Sequence, residues 1–188
     1  MGKLVVTEFV SIDGVFEDPG GSENYEYGGW TFEYDRGDEG NKFKLDELLA
    51  ADAHMFGRVT YEGFAAAWPS REGEFADRLN NDPKFVVSTT LENPTWNNTT
   101  VISENVPEEI ANVKAATEGT ILVAGSGSLV ATLFAHDLVD ELRLMVFPTM
   151  LGRGRRVFPD GIDRRKFRLV EARTVGSDGV QIQVYEKA

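Results

Sequence analysis

Short apolar segments that alternate with helical segments are the feature of this sequence that most constrains its fold. Apolar and β-branched residues predict strands at 4–12, 53–56, 85–87, 100–102, 120–124 and 140–147. Spacing, capping residues and an early proline predict helices at 43–49, 60–67, from Pro107 onward and at 129–138. A helix that connects two strands of one sheet places those strands parallel. The alternation therefore predicts an α/β fold.

The C-terminal part of the chain has a different pattern. Segments 167–175 and 180–185 flank Ser177-Asp178-Gly179, and such turn residues between two apolar segments predict a hairpin. The complete pattern predicts a three-layer α/β sandwich around a mostly parallel central sheet with a C-terminal antiparallel hairpin. The length suits a single domain, 1–188, and no repeat or linker divides the chain.

Charge and composition argue against several classes of function. The net charge of -12 repels a nucleic-acid backbone, so we expect no nucleic-acid partner. The absence of cysteine excludes disulfides, thiolate metal sites and the Pro-Cys-x-x-Cys motif of an attached zinc deaminase. His54 and His136 lie far apart without ligand spacing, so we expect no metal site. The sequence contains no leader or membrane-spanning pattern, which predicts a cytoplasmic protein without membrane contact.

Two unusual segments leave alternatives open. Residues 17–41 form a long connection with five interleaved aromatic residues: Tyr25, Tyr27, Trp30, Phe32 and Tyr34. These rings either wall a pocket as part of a lid or attach an irregular loop to the core. Residues 153–173 contain eight Arg or Lys against three Asp or Glu. This basic segment either forms a solvated surface or binds phosphate.

Turns with phosphate-binding chemistry follow three of the predicted strands. In Gly125-Ser126-Gly127-Ser128, glycines allow close backbone approach, and the next helix offers its N-terminal amides. Gly57-Arg58-Val59-Thr60 adds a guanidinium, and Ser88 and Thr89 offer hydroxyls. Each motif alone also suits an ordinary turn, but together they could hold one extended dinucleotide.

Several motifs resemble known families in the same order along the chain. Ser11-Ile12-Asp13-Gly14, Gly57-Arg58-Val59-Thr60-Tyr61-Glu62, Val86-Val87-Ser88 and Ile121-Leu122-Val123-Ala124-Gly125-Ser126-Gly127 resemble motifs of the dihydrofolate reductase family. Residues 138–142 and 148–158 resemble the reductase domain of bifunctional riboflavin-biosynthesis deaminase-reductases. The resemblance extends over essentially the whole chain.

This resemblance implies an NADPH-dependent reductase that transfers hydride to a small heterocyclic substrate, either the phosphoribosylamino-uracil of riboflavin biosynthesis or a pterin-like compound. Arg58 and Thr60 would hold phosphates of NADPH, Ser88 and Thr89 would lie near its 2′-phosphate, and residues 125–129 would cradle its pyrophosphate. The implied cofactor residues are Phe16, Gly57, Arg58, Thr60, Ser88, Thr89, Gly125, Ser126, Gly127, Ser128 and Leu129.

Asp13, beside the implied nicotinamide position, is the candidate catalytic residue, although an aspartate there could equally well turn the chain. The helix carboxylate of dihydrofolate reductases falls near Gly40 and Asn41 here, with Glu39 adjacent. After the corresponding strand, the riboflavin reductases have an Asp-Asp-Pro stretch, whereas this chain has the different sequence of residues 57–62. A non-catalytic nucleotide-binding or ligand-sensing module is therefore the alternative function.

The hairpin and the family resemblance both predict a homodimer. A C-terminal hairpin leaves a strand edge or face that a symmetry mate can cover. We expect that contact near six apolar residues, which would otherwise form an ordinary core face: Phe147, Phe167, Leu169, Val180, Ile182 and Val184.

Overall fold

Eight strands, five α-helices and one 3-10 helix (Trp30–Glu33) follow one another along residues 1–188, all of which the computed structural model describes. The strands are β1 (Lys3–Ser11), β2 (Ala51–Gly57), β3 (Lys84–Val87), β4 (Thr99–Ile102), β5 (Thr120–Ala124), β6 (Glu141–Phe147), β7 (Phe167–Val175) and β8 (Val180–Lys187). The helices are α1 (Gly37–Leu49), α2 (Arg58–Ala67), α3 (Glu74–Asn81), α4 (Val106–Ala116) and α5 (Gly127–Ala135). None of these helices combines the length and the apolar character needed to cross a membrane.

All eight strands belong to one sheet in the order β4-β3-β2-β5-β1-β6-β8-β7. The strands from β4 to β6 in this order are parallel, whereas β8 is antiparallel to both β6 and β7. The predicted fold class, a mostly parallel sheet with a C-terminal antiparallel hairpin, is confirmed. Leu4, Val5 and Val6 of the central strand β1 are completely buried, as expected where helices cover both faces of a parallel sheet.

Helices pack on both faces of the sheet. On one face, Ile110 of α4 and Leu133 of α5 join Val6 in the largest core cluster. On the other face, Tyr61 of α2 and Leu79 of α3 pack in a cluster with residues of β2 and β3. Successive side chains of a strand point to opposite faces, so each buried strand contributes to both layers.

Most of the residues that the sequence predicts near a dimer contact lie inside the protein instead. Phe147, Val180, Ile182 and Val184 form a buried cluster with Trp30, because alternate residues of β8 face the interior. Leu169 is exposed and Phe167 packs at the margin of the main core. For the four buried residues the correct interpretation is an ordinary core face.

Two helical segments differ from the sequence-based expectation. α1 begins at Gly37 instead of residue 43, because its first turns are polar and lack the apolar spacing that marks a helix. α3 was not predicted, since Ala76 and Leu79 are its only buried residues. α1 matters for the site because its C-terminal half, which the sequence predicts as a helix, carries Lys44 and Glu47.

Candidate functional site

A cavity of about 930 Å³ opens at the carboxyl ends of the parallel strands. Its walls come from the ends of β1, β2, β3 and β5, from α1, and from the first turns of α2 and α5. Open α/β sheets bind ligands at this edge, and the volume is in the range of small-molecule sites. This cavity is therefore the candidate site.

The turn after β5 approaches the rest of the cavity wall closely. Gly125 has a φ of 62°, and a side chain there would place its Cβ 3.1 Å from Thr60 Oγ1. A Cβ on Gly127 would lie 3.0 Å from Cζ of Phe16. α5 starts at Gly127, and no side chain caps its N-terminal amides. The turn thus leaves backbone donors available for an anionic group.

The turn after β2 is joined to this glycine turn. The Gly57 amide donates a 2.8 Å hydrogen bond to Ser126 Oγ. α2 begins at the next residue, Arg58, and also lacks a side-chain cap. The Arg58 guanidinium is half-exposed and bonds Glu62 one turn along the helix at 2.9 Å. Because that exposed pair is weak, Arg58 can exchange Glu62 for a phosphate.

The third strand end supplies hydroxyls with different roles. Ser88 is buried, and its Oγ accepts hydrogen bonds from the amides of Thr90 and Leu91 at 3.1 and 2.9 Å. Ser88 therefore shapes the turn, whereas the exposed Thr89 leaves its hydroxyl available. The structure brings all eleven sequence-predicted cofactor residues to the lining of this one cavity.

A cluster of polar side chains that the sequence did not indicate lies at the other end of the cavity. Thr7 Oγ1 of β1 donates a 2.8 Å hydrogen bond to the buried carboxylate of Glu47, and Lys44 Nζ bonds Thr7 Oγ1 at 2.8 Å. Lys44 also forms an ion pair with Glu47. A guanidinium nitrogen of Arg143 lies 3.7 Å from Oε2 of Glu47. The three-residue spacing of Lys44 and Glu47 on a helix was the available signal.

An aromatic ring separates this cluster from a second cation. The ring of Phe9 has Lys44 Nζ 4.9 Å from its centroid and the Arg36 guanidinium 5.1 Å from it. Arg36 forms no ion pair with a carboxylate, and its Nε donates to Asn41 Oδ1 at 2.7 Å. This end of the cavity thus offers an apolar surface next to an unpaired positive charge.

Glu8 occupies the split between two neighbouring strands. β5 ends at Ala124, which pairs with Thr7, so Glu8 is the first residue of β1 beyond the end of β5. Its side chain points to the face opposite that of Thr7 and Phe9. Oε2 accepts a 3.1 Å hydrogen bond from the Gly125 amide, while Oε1 is buried without a partner. Burial raises the pKa of Glu8 well above its usual value. A charged residue inside an apolar strand is the sequence signal that marks this position.

The side chain of Asp13 does not line the cavity. Its carboxylate accepts hydrogen bonds from Ser11 Oγ at 2.6 Å and from the amides of Leu151 and Gly152 at 3.2 and 2.8 Å. Although burial opposes ionisation, these hydrogen bonds lower the pKa of Asp13. Asp13 therefore secures the loop after β6 and lies outside the cavity lining, and its expected catalytic role stays a prediction.

The long connection and the basic segment pack against each other. Trp30 is buried and its Nε1 donates to the Glu17 carbonyl at 2.9 Å, whereas the exposed Phe32 stands at the cavity. Arg155 pairs with Glu17 and Glu23 at 3.2 and 3.0 Å. Trp30 thus attaches the loop to the core, and Phe32 contributes to the cavity wall. Each of the two interpretations of the loop aromatics therefore applies to one residue.

The two histidines lie apart from one another. His54 is buried, lies 3.2 Å from Asp82 Oδ2 and stacks against Phe56. His136 caps the C-terminal end of α5. No group of three or more His, Asp or Glu side chains has an arrangement that could hold a metal ion.

Comparisons with known proteins agree with this architecture. The chain is 30% identical over 142 residues to protein YyaP of Bacillus subtilis, a match that covers 73% of this chain and 75% of YyaP. The structure resembles that of a Shewanella sp. PV-4 protein ascribed to riboflavin biosynthesis, with a TM-score of 0.78, 18% identity and 99% of each chain covered. It also resembles Enterococcus faecalis dihydrofolate reductase complexed with NADP(H), with a TM-score of 0.63, 17% identity and coverage of 98% and 96%.

The fold is therefore dihydrofolate-reductase-like, as the motifs implied. The family model that describes the RibD C-terminal domain matches residues 2–181, which is nearly the entire chain. This protein belongs to the RibD C-terminal domain family.

Proposed function

We propose that this protein is an NADPH-dependent reductase that transfers hydride to a small heterocyclic substrate of the pyrimidine or pterin class. The observation that carries the proposal is the division of one cavity into two chemically different parts. One part has two helix N-termini without side-chain caps, and the other has Phe9 among fixed charges. The NADP(H) complex of the dihydrofolate reductase relative supports a dinucleotide as the first ligand.

The residues of the first part fit the phosphates of a dinucleotide. Gly125 and Gly127 lie where a side chain would crowd the turn, so the backbone and the amides of α5 can approach a pyrophosphate. Arg58 and Thr89 would bind the 2′-phosphate, and Phe16 would lie beside the nicotinamide. NADPH supplies the hydride when bound, while the chain positions it against the acceptor and excludes water.

Glu47 is the acceptor-binding carboxylate in this proposal. Thr7 and Lys44 hold it in one orientation, and both of its oxygens can accept hydrogen bonds from ring or amino N–H groups. It lies on α1, about two turns after the position near Gly40 where the sequence resemblance located such a group. Arg36, which has no carboxylate partner, would bind a negatively charged substituent of the substrate.

Ligand titration followed by an acceptor screen tests this function. We expect saturable NADPH binding by calorimetry or fluorescence, and NADPH oxidation that depends on an acceptor from a panel of pterins, pyrimidines and quinones. Absence of saturable binding would contradict the proposal. Binding without oxidation by any acceptor would instead favour the alternative, a non-catalytic nucleotide-binding or ligand-sensing module.

A further inference from the structure

Glu8 is the one acidic side chain of the cavity that is both buried and incompletely hydrogen-bonded. It is 4% exposed, Oε2 accepts from the Gly125 amide, and Oε1 has no hydrogen-bond partner. An ionised carboxylate in this position would leave a buried charge with a single donor, which is costly. A neutral carboxylic acid instead offers an O–H group to a ligand.

We propose, on the basis of the reductase function above, that Glu8 is a protonated acid that donates the proton accompanying hydride transfer. Its place in the fold supports this role. Glu8 lies in the split between β1 and β5, directly beneath Gly125 of the proposed cofactor turn, and next in sequence to Thr7 of the acceptor-binding cluster. Glu8 therefore lines the same cavity as both parts of the proposed site, at the point where the proposed cofactor turn meets β1.

The charges around Glu8 favour this assignment. The largest influence is burial, which raises the pKa of the carboxyl. Lys44 of α1 and the Gly125 amide oppose it, and Glu47 of α1 adds to it. Lys44 is itself paired with Glu47, so its charge is shared. On the β6 side the residue opposite Glu8 is Leu144, which carries no charge.

Every other acid that lines the cavity has hydrogen-bond or ion-pair partners: Glu17 and Glu23 pair with Arg155, Asp18 accepts from the amides of Ser22 and Tyr25, and Glu47 pairs with Lys44. Glu47 accepts hydrogen bonds and is paired with Lys44, as befits a carboxylate. Asp13 is fully hydrogen-bonded outside the cavity. In the proposed step, the carbon of a C=N or C=O bond takes hydride from NADPH, which is oxidised to NADP⁺. The O–H bond of Glu8 breaks, a new N–H or O–H bond forms on the acceptor, and water later restores the proton of Glu8.

Two measurements on the full chain test the inference. Carbon-13 NMR of glutamate side chains, assigned by comparison with Glu8→Gln, reports the protonation of Glu8 in the wild-type protein. Steady-state NADPH oxidation gives kcat as a function of pH. We expect Glu8→Gln to lower kcat by about 10²–10⁴-fold, the usual contribution of a general acid. We expect the dissociation constant of NADPH to stay within about twofold, because glutamine keeps an oxygen for the Gly125 amide. Glu108→Gln, on the surface of α4, is the matched control.

Each outcome decides the inference. A Glu8 carboxyl that is neutral at neutral pH, with kcat of the wild type falling as it ionises, supports it. A carboxyl that is ionised at neutral pH overturns it while the reductase function stands, and so does an unchanged kcat in Glu8→Gln. Weaker NADPH binding without loss of kcat would show that Glu8 only supports the turn. Failure of the wild-type protein to bind NADPH would overturn the proposed function together with this inference.

Discussion

The amide of Gly57 and the hydroxyl of Ser126 are joined by a hydrogen bond of 2.8 Å. This bond connects the turn after β2 to the turn after β5, two strands that are neighbours in the sheet. The N-termini of α2 and α5 are thereby held next to each other. A dinucleotide that uses both helix N-termini would meet them already in place, without first ordering the turns.

Removal of the Ser126 hydroxyl should weaken NADPH binding. We expect both Ser126→Ala and Ser126→Gly to raise the dissociation constant by roughly five-fold, equivalent to about 1 kcal/mol for one hydrogen bond. Ser126 has a φ of 68°, so glycine should recover the lost stability whereas alanine should not. Calorimetric titration and thermal unfolding measure the two effects, with Ser103→Ala, at an exposed position outside the cavity, as control. Wild-type affinity in both Ser126 variants would show that the link does not position the cofactor.

Arg58 should discriminate between the two nicotinamide dinucleotides. We expect Arg58→Ala to weaken NADPH binding by about 1.5–3 kcal/mol, the range for a hydrogen bond to a charged group, and to leave NADH binding nearly unchanged. Glu62→Gln should strengthen NADPH binding slightly, since it frees Arg58 from its exposed partner. Parallel titrations with both dinucleotides provide the measurement. Equal losses for NADPH and NADH would place Arg58 at the shared pyrophosphate or in a purely structural role.

Glu8 should make stability depend on pH even without a ligand. Its pKa is raised in the folded state, so between the unfolded value near 4.5 and the folded value the folded protein binds more protons. The free energy of unfolding should therefore decrease as pH rises through this window. Denaturant unfolding should find Glu8→Gln more stable than the wild type at neutral pH, with the difference disappearing at pH below 4.5. A difference that is independent of pH would show that Glu8 ionises normally.

Lys84 is a buried cation that holds three backbone carbonyls. Its Nζ donates to Asn80, Asp82 and Asn97 at 3.1, 2.7 and 2.9 Å, and lies 4.6 Å from the centroid of the Trp96 ring. Lys84→Met should lower the free energy of unfolding by about 2–3 kcal/mol, because it removes three hydrogen bonds to partly buried carbonyls at once. Denaturant unfolding measures the change, and Lys42→Met, on the exposed face of α1, should differ little from the wild type.

Burial also lowers the pKa of Lys84 from 10.5 to about 8. Between these values the unfolded chain binds more protons than the folded protein, so stability contributed at Lys84 should rise with pH. The advantage of the wild type over Lys84→Met should therefore increase from about pH 8 to pH 10.5. An advantage that decreases over this range would indicate that the carbonyls keep the ammonium fully charged.

The protein should form a homodimer, as the family resemblance implies. β7 is an edge strand whose Leu169 and Val170 are 51% and 43% exposed, which leaves an apolar surface for a symmetry mate. Sedimentation equilibrium at micromolar protein should give twice the chain mass of 20.8 kDa. Leu169→Lys should shift the mass toward that of a monomer, whereas Arg168→Lys should not. A wild-type mass near 20.8 kDa at all concentrations would contradict the dimer.

The sequence predicted the strands and the turns of the cofactor part because these depend on local patterns. A glycine turn between an apolar strand and a helix can be recognised without knowing what packs beside it. The meeting of Thr7, Glu8, Lys44 and Glu47 depends instead on the register of β1 and on the packing of α1. The contacts of Asp13 depend on distant residues too, since the loop that it secures lies about 140 residues away in sequence. Local patterns do not encode such distant partners.

The alternation of β1 also bears on how this site could be altered. The side chains of Thr7 and Phe9 lie on the face of the sheet that α1 covers, while the side chain of Glu8 points to the opposite face. A single-residue insertion ahead of Thr7 would exchange these layers and dismantle both parts at once. Substitutions at positions 7 and 9, in contrast, would change what the acceptor meets without touching the neighbour of the cofactor turn. Any alteration of the site therefore has to keep the number of residues in β1, because Thr7 and Phe9 belong to the proposed acceptor part and Glu8 contacts the proposed cofactor turn.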